Sequence, residues 1–336
     1  MKKNIVVTGG LGYIGSHTVV ALQEAGFTVS ILDDLSNSDL SVLNRITEIS
    51  GIKPEFHAID LKDTKAVNDF FHSAKIDGII HFAAHKAVGE SVEKPLMYYR
   101  NNLFGLINLL EAMKENEVDN LIFSSSCTVY GQADTMPIDE TAPFKKAESP
   151  YGKTKQMGEE ILEDFVAADS KNVISLRYFN PVGAHSSGLI GELPLGVPNN
   201  LVPFVTQTAA GIRECLSVFG DDYPTRDGTA IRDYIYVGDL ADAHVKALNR
   251  LIEKKNKENL EVFNLGTGIG STVLEVVKTF EKVNNLKLNY KTVCRRAGDI
   301  VEAFADNTKA EKELGWKPET SLEESMRTAW EWQKTL

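Results

Sequence analysis

The stretch Val6 to His17 carries glycines at 9, 10, 12 and 15; it is entered from an apolar run and left through a helical apolar pattern beginning at Ile14. Strand, glycine turn, helix is an order suited to a dinucleotide pyrophosphate. Glycine lets the backbone turn tightly and approach the phosphates, and the N–H groups of a helix start, at its positive dipole end, face the anion. The spacing alone also fits a helix start with incidental glycines. The next strand-like run, Thr28 to Leu32, favours the dinucleotide, because it ends at Asp33, about 20 residues on, where that fingerprint places a ribose-binding acid. Such a carboxylate accepts from both ribose hydroxyls of NAD and repels the extra phosphate of NADP. Asp34 adds a second negative charge and no arginine follows at once, so NAD is the expected cofactor.

Strand-like and helical runs alternate through the first half. Strands are expected near residues 4–8, 28–32, 55–59, 78–82, 120–125 and 173–178, and the clearest helices over Pro95–Glu117 and Pro150–Ala168. That pattern predicts an α/β fold, a doubly wound parallel (Rossmann) sheet whose ligands lie beyond the carboxyl ends of its strands. A chain of 336 residues accommodates two lobes. We expect an NAD-binding lobe over 1–180 and a smaller α/β substrate lobe over 181–336, with residues near 233–265 packing back onto the first. From Asn180 to Asp233 glycine and proline are frequent and periodicity is weak, which predicts loops wrapped around a ligand. Beyond it, strands are expected at 234–237 and 262–265, helices at 239–254 and 272–283, and two more helices past Asp306.

No apolar run is long enough to span a membrane, and the first strand begins at Asn4 with no room for a secretory leader, so a cytoplasmic protein is expected. Cys127, Cys215 and Cys294 lie far apart without a Cys-x-x-Cys pair, which argues against a disulfide framework and a metal site. A net charge of −11 argues against nucleic acid as a partner.

Two further stretches carry chemistry. The fifth strand runs into Ser124, Ser125 and Ser126, placing hydroxyls where the sheet opens. Later, Ser149 caps and Pro150 starts a helix on which Tyr151 and Lys155, four apart, share a face. An ammonium and a helix start beside the phenol would stabilise phenolate and lower its pKa from about 10, making Tyr151 a candidate general base. A bare Tyr-x-x-x-Lys is more often a surface tyrosine beside a solvated lysine. The nucleotide fingerprint and the serine run turn the balance toward catalysis.

Here the chain resembles the extended short-chain dehydrogenase/reductases, and within them the UDP-glucose 4-epimerase family, over nearly its whole length. The stretches that carry the resemblance are Thr8–His17, His81–Ser91, Ser124–Gly131, Ser149–Lys155, Arg177–His185, Pro198–Leu201, Arg232–Tyr234 and Arg295–Asp299, the last including Ala297 and Gly298. The resemblance implies that Tyr151 takes the proton from the sugar's 4-hydroxyl while hydride passes to tightly held NAD. Ser126 would bond the same oxygen, and Lys155 would hold the nicotinamide ribose. The ketone then turns about its diphosphate link and takes the hydride back on its other face. For the cofactor it implies Gly9, Gly12, Tyr13, Ile14, Gly15, Asp33, Asp34, Asn37, Ser38, Asp60, Leu61, Phe82, Ala83, Ala84, Lys86, Asn101, Ser124 and Tyr178 beside the catalytic residues. For a UDP-hexose it implies Asn180, Asn199, Asn200 and Leu201, Arg232 and Arg296 as diphosphate clamps, Asp299 on the uridine ribose, and Ala303.

Two positions depart from the family pattern. Asp34 stands where an asparagine often follows the ribose acid. Ala303 stands where relatives strict for glucose and galactose carry a bulky tyrosine, which predicts that N-acetylhexosamines are also accepted. The resemblance further suggests a homodimer through the helices at Pro95 and Pro150. A nucleotide-sugar 4,6-dehydratase is a weaker reading, because Cys127 and Thr128 occupy the places of its acid pair. A non-catalytic NAD sensor is a third reading, and it gives no reason for the chain to keep Tyr151 and Ser126.

Overall fold

The computed structural model describes residues 2–296 and 299–336; Ala297 and Gly298 of the Arg295–Asp299 stretch lie outside them. In the first half, strands β1 (Asn4–Thr8), β2 (Thr28–Leu32), β3 (Glu55–His57), β4 (Gly78–His81), β5 (Asn120–Ser126) and β6 (Asn172–Tyr178) alternate with helices. The helices are α1 (Tyr13–Glu24), α2 (Ser41–Ser50), α3 (Thr64–Ser73), α4 (Val88–Glu93), α5 (Pro95–Tyr99), α6 (Gly105–Glu115) and α7 (Pro150–Asp169). The second half adds β7 (Asn180–Val182), α8 (Leu201–Ala209), β8 (Leu216–Phe219), β9 (Ile231–Tyr236), α9 (Val237–Ile252), β10 (Leu260–Leu265) and β11 (Gly270–Thr272). Then come α10 (Val273–Asn284), β12 (Tyr290–Val293), β13 (Glu302–Ala303), α11 (Thr308–Leu314) and α12 (Leu322–Gln333).

Seven strands form one parallel sheet in the order β10-β6-β5-β4-β1-β2-β3, a doubly wound arrangement whose direction of growth reverses between β1 and β4. Successive residues of β1 feed opposite faces. Ile5 and Val7 join a core with α1, α2 and α9, while Val6 joins one with α3, α6 and α7. A strand buried on both faces reads as a continuous apolar run rather than an alternation, and Ile5-Val6-Val7 at the centre of β1 does.

The second lobe has a separate core, in which Val202 and Val205 of α8 meet Val276 and Phe280 of α10 and Met326 of α12. Its four-stranded sheet is centred on β9, which pairs with β7, β11 and β13. Helix α9 leaves β9 for the first lobe, and β10 then pairs with β6 at the edge of the large sheet.

Two expectations need correction. The stretch from 180 to 233 is not loop throughout, since it contains α8. Its Pro203 lies in the first helical turn, where the missing N–H costs nothing. The helix expected over Pro95–Glu117 is interrupted by a π turn at Arg100–Phe104. There Asn102, buried, donates to the His85 carbonyl at 3.0 Å and to Thr154 Oγ1 at 3.1 Å, and accepts from the His85 nitrogen at 2.9 Å. These bonds tie the wide turn to the loop after β4 and to α7.

Candidate active site

Gly9 ends β1 with φ of +69°, and a Cβ on it would come within 2.8 Å of the Ala83 nitrogen. A Cβ on Gly15 would fall 2.2 Å from the Gly9 carbonyl oxygen, to which Gly12 donates at 3.1 Å. The turn is therefore folded tightly under the start of α1. That 12-residue helix has no side-chain cap and no acid in its first turn. Tyr13 and Ile14 consequently present N–H groups at a positive helix end, the environment a pyrophosphate requires, so these residues fit a dinucleotide.

Asp33 is buried at the end of β2 and also shapes this turn. One oxygen accepts from the Leu11 nitrogen at 3.0 Å, the other from the Leu35 nitrogen at 3.0 Å and Ser38 Oγ at 2.7 Å. Asp34 is exposed and closes its own turn onto the Ser36 nitrogen at 2.9 Å, and Asn37 is exposed beside it. Asp60 pairs with Lys62 at 2.9 Å, and Lys62 reaches Asn101 Oδ1 at 2.8 Å, so one lysine links two cofactor candidates. Burial raises the Asp60 carboxyl, but Lys62 outweighs it and the net shift is downward. Leu61 sends its side chain into the core rather than the cleft. Phe82 packs its ring 4.7 Å from that of His244, and Ala83 and Ala84 are half-buried after it. Lys86 meets Glu192 of the other lobe at 3.0 Å, and the same oxygen accepts from Asn200 at 2.6 Å. One carboxylate thus links a cofactor candidate with a substrate candidate.

At the ends of β5 and β6 the structure brings Ser124, Ser126, Tyr151, Lys155 and Tyr178 together. Ser149 caps α7, accepting from the Gly152 nitrogen at 3.1 Å, with Pro150 in the first turn. The Lys155 ammonium, buried, donates to the Ser124 carbonyl oxygen at 2.5 Å, and Ser124 and Tyr178 share a hydrogen bond through their hydroxyls. Ser126 lies beside the Tyr151 phenol and favours its ionised form, but burial dominates and pushes the phenol up to about 12. This corrects the expected lowering. The ammonium is aimed at a carbonyl, with Nζ 5.9 Å from the centre of the Tyr151 ring, so it does not offset the lost hydration. Burial also lowers Lys155, to about 8, against the raising influence of Glu159.

Arg232 of β9 and Asp299 form an ion pair, and Arg232 Nη1 also donates to the Ile231 carbonyl at 2.7 Å. Two side chains expected to hold different parts of a nucleotide thus hold each other. Ala303 is opposite Arg232 in the β13–β9 register and is 4% exposed, in a cluster with Val129, Tyr130, Ile138 and Phe179 against which Cys127 packs. The ring of the next residue, Phe304, lies against Gly270. Asn180 pairs in register with Tyr234, Asn199 is exposed, and Leu201 opens α8.

Three side chains were missed by the sequence reading. Phe219, exposed at the end of β8, has the Arg296 guanidinium 5.1 Å above its ring, an aromatic platform beside a candidate clamp. Glu192 has no local signal, because its partners are distant in sequence. Glu159 repeats the four-residue spacing from Lys155, which was a usable signal.

A family model described as GDP-mannose 4,6 dehydratase matches residues 6–329. The UDP-glucose 4-epimerase of Bacillus subtilis is 52% identical over 332 residues, covering 98% of this chain and 97% of the relative. The crystal structure of UDP-glucose-4-epimerase from Stenotrophomonas maltophila with bound NAD and formylated UDP-arabinopyranose superposes with a TM-score of 0.96 at 47% identity, covering 99% of this chain and 98% of that one. The Bifidobacterium longum enzyme in complex with NAD+ and UDP gives 0.95 at 45% identity, with 99% and 98% covered. Identity near one half, sustained over nearly the full length of both chains, places this chain in the UDP-glucose 4-epimerase family.

Proposed function

We propose that the protein interconverts UDP-galactose and UDP-glucose, inverting carbon 4 of the hexose with NAD kept bound. The observation that carries this reading is the meeting of Ser126, Tyr151 and Lys155 at the strand ends beside an uncapped helix start. The start of α1, Asp33, Lys86 and Lys155 would hold NAD, which when bound supplies a hydride acceptor and a cationic ring that favours phenolate. Tyr151 Oη then takes the proton of the 4-hydroxyl and returns it, and Ser126 Oγ holds the same sugar oxygen on line. Lys155 orients the ribose and carries positive charge toward the phenol. Arg232 and Arg296 would grip the diphosphate, with Asp299 on the uridine ribose and Phe219 under the base. A firm hold on the nucleotide and a loose one on the hexose lets the 4-keto sugar present both faces. The dehydratase reading loses ground, because Cys127 and Thr128 supply no acid pair. The test is to incubate purified protein, without added NAD, with UDP-galactose and resolve the products; absence of UDP-glucose sinks the reading.

We further infer that UDP-N-acetylhexosamines are substrates, supported by the small Ala303 and by Phe304 lying against Gly270. A homodimer is supported by Val92, Leu96, Met97, Phe104 and Ile107, exposed apolar side chains along α4 to α6. No helix among the described residues is long and apolar enough to cross a membrane. The thiols of Cys127, Cys215 and Cys294 are free, which supports work in a reducing compartment such as the cytoplasm.

A further inference from the structure

The face of α7 that carries Tyr151 and Lys155 carries a third side chain at the same interval, Glu159. Each of the three meets the serine run of β5. Tyr151 lies beside Ser126. Lys155 donates to the Ser124 carbonyl at 2.5 Å. The Ser125 hydroxyl donates to Glu159 Oε1.

Glu159 is also gripped from β6. Arg177 Nε donates to Oε1 at 3.0 Å and to Oε2 at 3.1 Å, and Nη2 donates to Oε2 at 2.6 Å. Arg177 then donates to Tyr130 Oη at 2.9 Å, which donates to Asn264 at 2.7 Å. Both charges are buried, 6% exposed each. The chemistry proposed above makes no use of them. A buried ion pair is a poor source of stability, since apolar side chains of similar volume often serve as well. What a bidentate pair supplies is a fixed distance and angle between the elements that carry it.

We propose that Glu159 is a positioning residue for the epimerisation: held by Arg177 and Ser125, it sets α7 against β5 so that Tyr151, Lys155 and Ser126 converge on one sugar carbon, and its negative charge favours the Lys155 ammonium one turn away. The electrostatics agree with the geometry. Around Lys155 stand Tyr151 and Glu159 of α7, His81 of β4 and Tyr178 beyond Ser124 on β6; behind Glu159 stands Arg177. Burial holds His81 neutral and raises Tyr151 and Tyr178, so Glu159 is the anion of this set. The inference rests on the epimerase reading.

The test compares wild type, Glu159→Gln, Glu159→Asp and the double variant Glu159→Met with Arg177→Met, all with NAD bound, assayed on UDP-galactose across pH. The double variant leaves no orphaned buried charge, so it keeps the test valid if Glu159→Gln does not fold. A misplaced catalytic group predicts a kcat lower by roughly 10- to 100-fold in the double variant, with UDP affinity unchanged. Glu159→Asp restores part of it. In Glu159→Gln the alkaline limb moves to lower pH, because Lys155 loses its favouring anion. A double variant with wild-type kcat, or one that binds neither NAD nor UDP, overturns the proposal and leaves the pair a structural one. Inactive wild type would instead remove the epimerase reading itself.

Discussion

The ammonium of Lys155 donates to the backbone oxygen of Ser124, with its Nζ 5.9 Å from the centre of the Tyr151 ring. The pair four apart on α7 is thus spatially close without being hydrogen-bonded in this arrangement, and the phenol keeps its proton. Charge brought in beside it is what makes the phenol a base.

Tyr151→Phe should fold and bind UDP with unchanged affinity while kcat falls by roughly two to four orders of magnitude, the usual worth of a positioned proton carrier. Titration with UDP beside a turnover assay checks it. Retained turnover would falsify the assignment.

Lys155 acts while protonated. Its pKa of about 8 in the fold places the loss of activity on the alkaline side, as pH rises through that value. A kcat–pH profile with NAD bound reads this limb, and Lys155→Met should abolish it with most of the activity. A profile flat from neutrality to well above that pKa speaks against the role.

His17, His81 and His244 are buried and held neutral, their pKa values lowered by burial to about 3, 3 and 4. His17 and His244 each bond an i−4 carbonyl through Nδ1 and leave Nε2 without a partner among the described residues. The unfolded chain binds protons below about 6.5 that the fold refuses, so stability falls as pH drops from there toward 4, at about 1.4 kcal/mol per pH unit for each histidine. Three such groups suffice to unfold a domain of ordinary stability before pH 4. Thermal melts across this range check it, and His244→Phe should flatten the slope.

Ala303→Tyr should abolish conversion of UDP-N-acetylgalactosamine while UDP-galactose is still turned over. Ala303 is 4% exposed and shares its cluster with Phe179, so the added ring should also cost about 1–3 kcal/mol of stability. Product analysis on both sugars, with a melting curve, tests both halves; equal N-acetyl activity in the variant contradicts the specificity reading.

Leu96 is 81% exposed, the highest among the exposed large hydrophobics of α4 to α6. Leu96→Lys with Phe104→Glu should convert a dimer to a monomer in light scattering. A wild type that is already monomeric refutes the interface.

What the sequence revealed was mostly local. Val6 to Ile14 declared strand, turn and helix because each signal lies within a few residues of the next. Helix α8 was hidden by the glycines and prolines around it, although Pro203 falls where a helix tolerates it. The Arg232–Asp299 pair spans 67 residues, and no spacing rule reaches that far. The pKa of Tyr151 was misjudged for a related reason: the lysine and the helix start are visible in sequence, but burial, the larger influence, is not.

The π turn at Arg100–Phe104 allows consecutive residues, Asn101 and Asn102, both to serve inward partners, Lys62 on one side and His85 with Thr154 on the other. Such a turn is an α-helix with one residue inserted. Deleting a residue there would restore a regular helix and leave α6 on its face, but it would remove the wide turn that holds both asparagines inward, so the Lys62 contact or the His85 and Thr154 contacts would be lost. Length, not only identity, is therefore constrained at this point: the chain can tolerate insertions and deletions in its surface loops far better than the loss of this one extra residue.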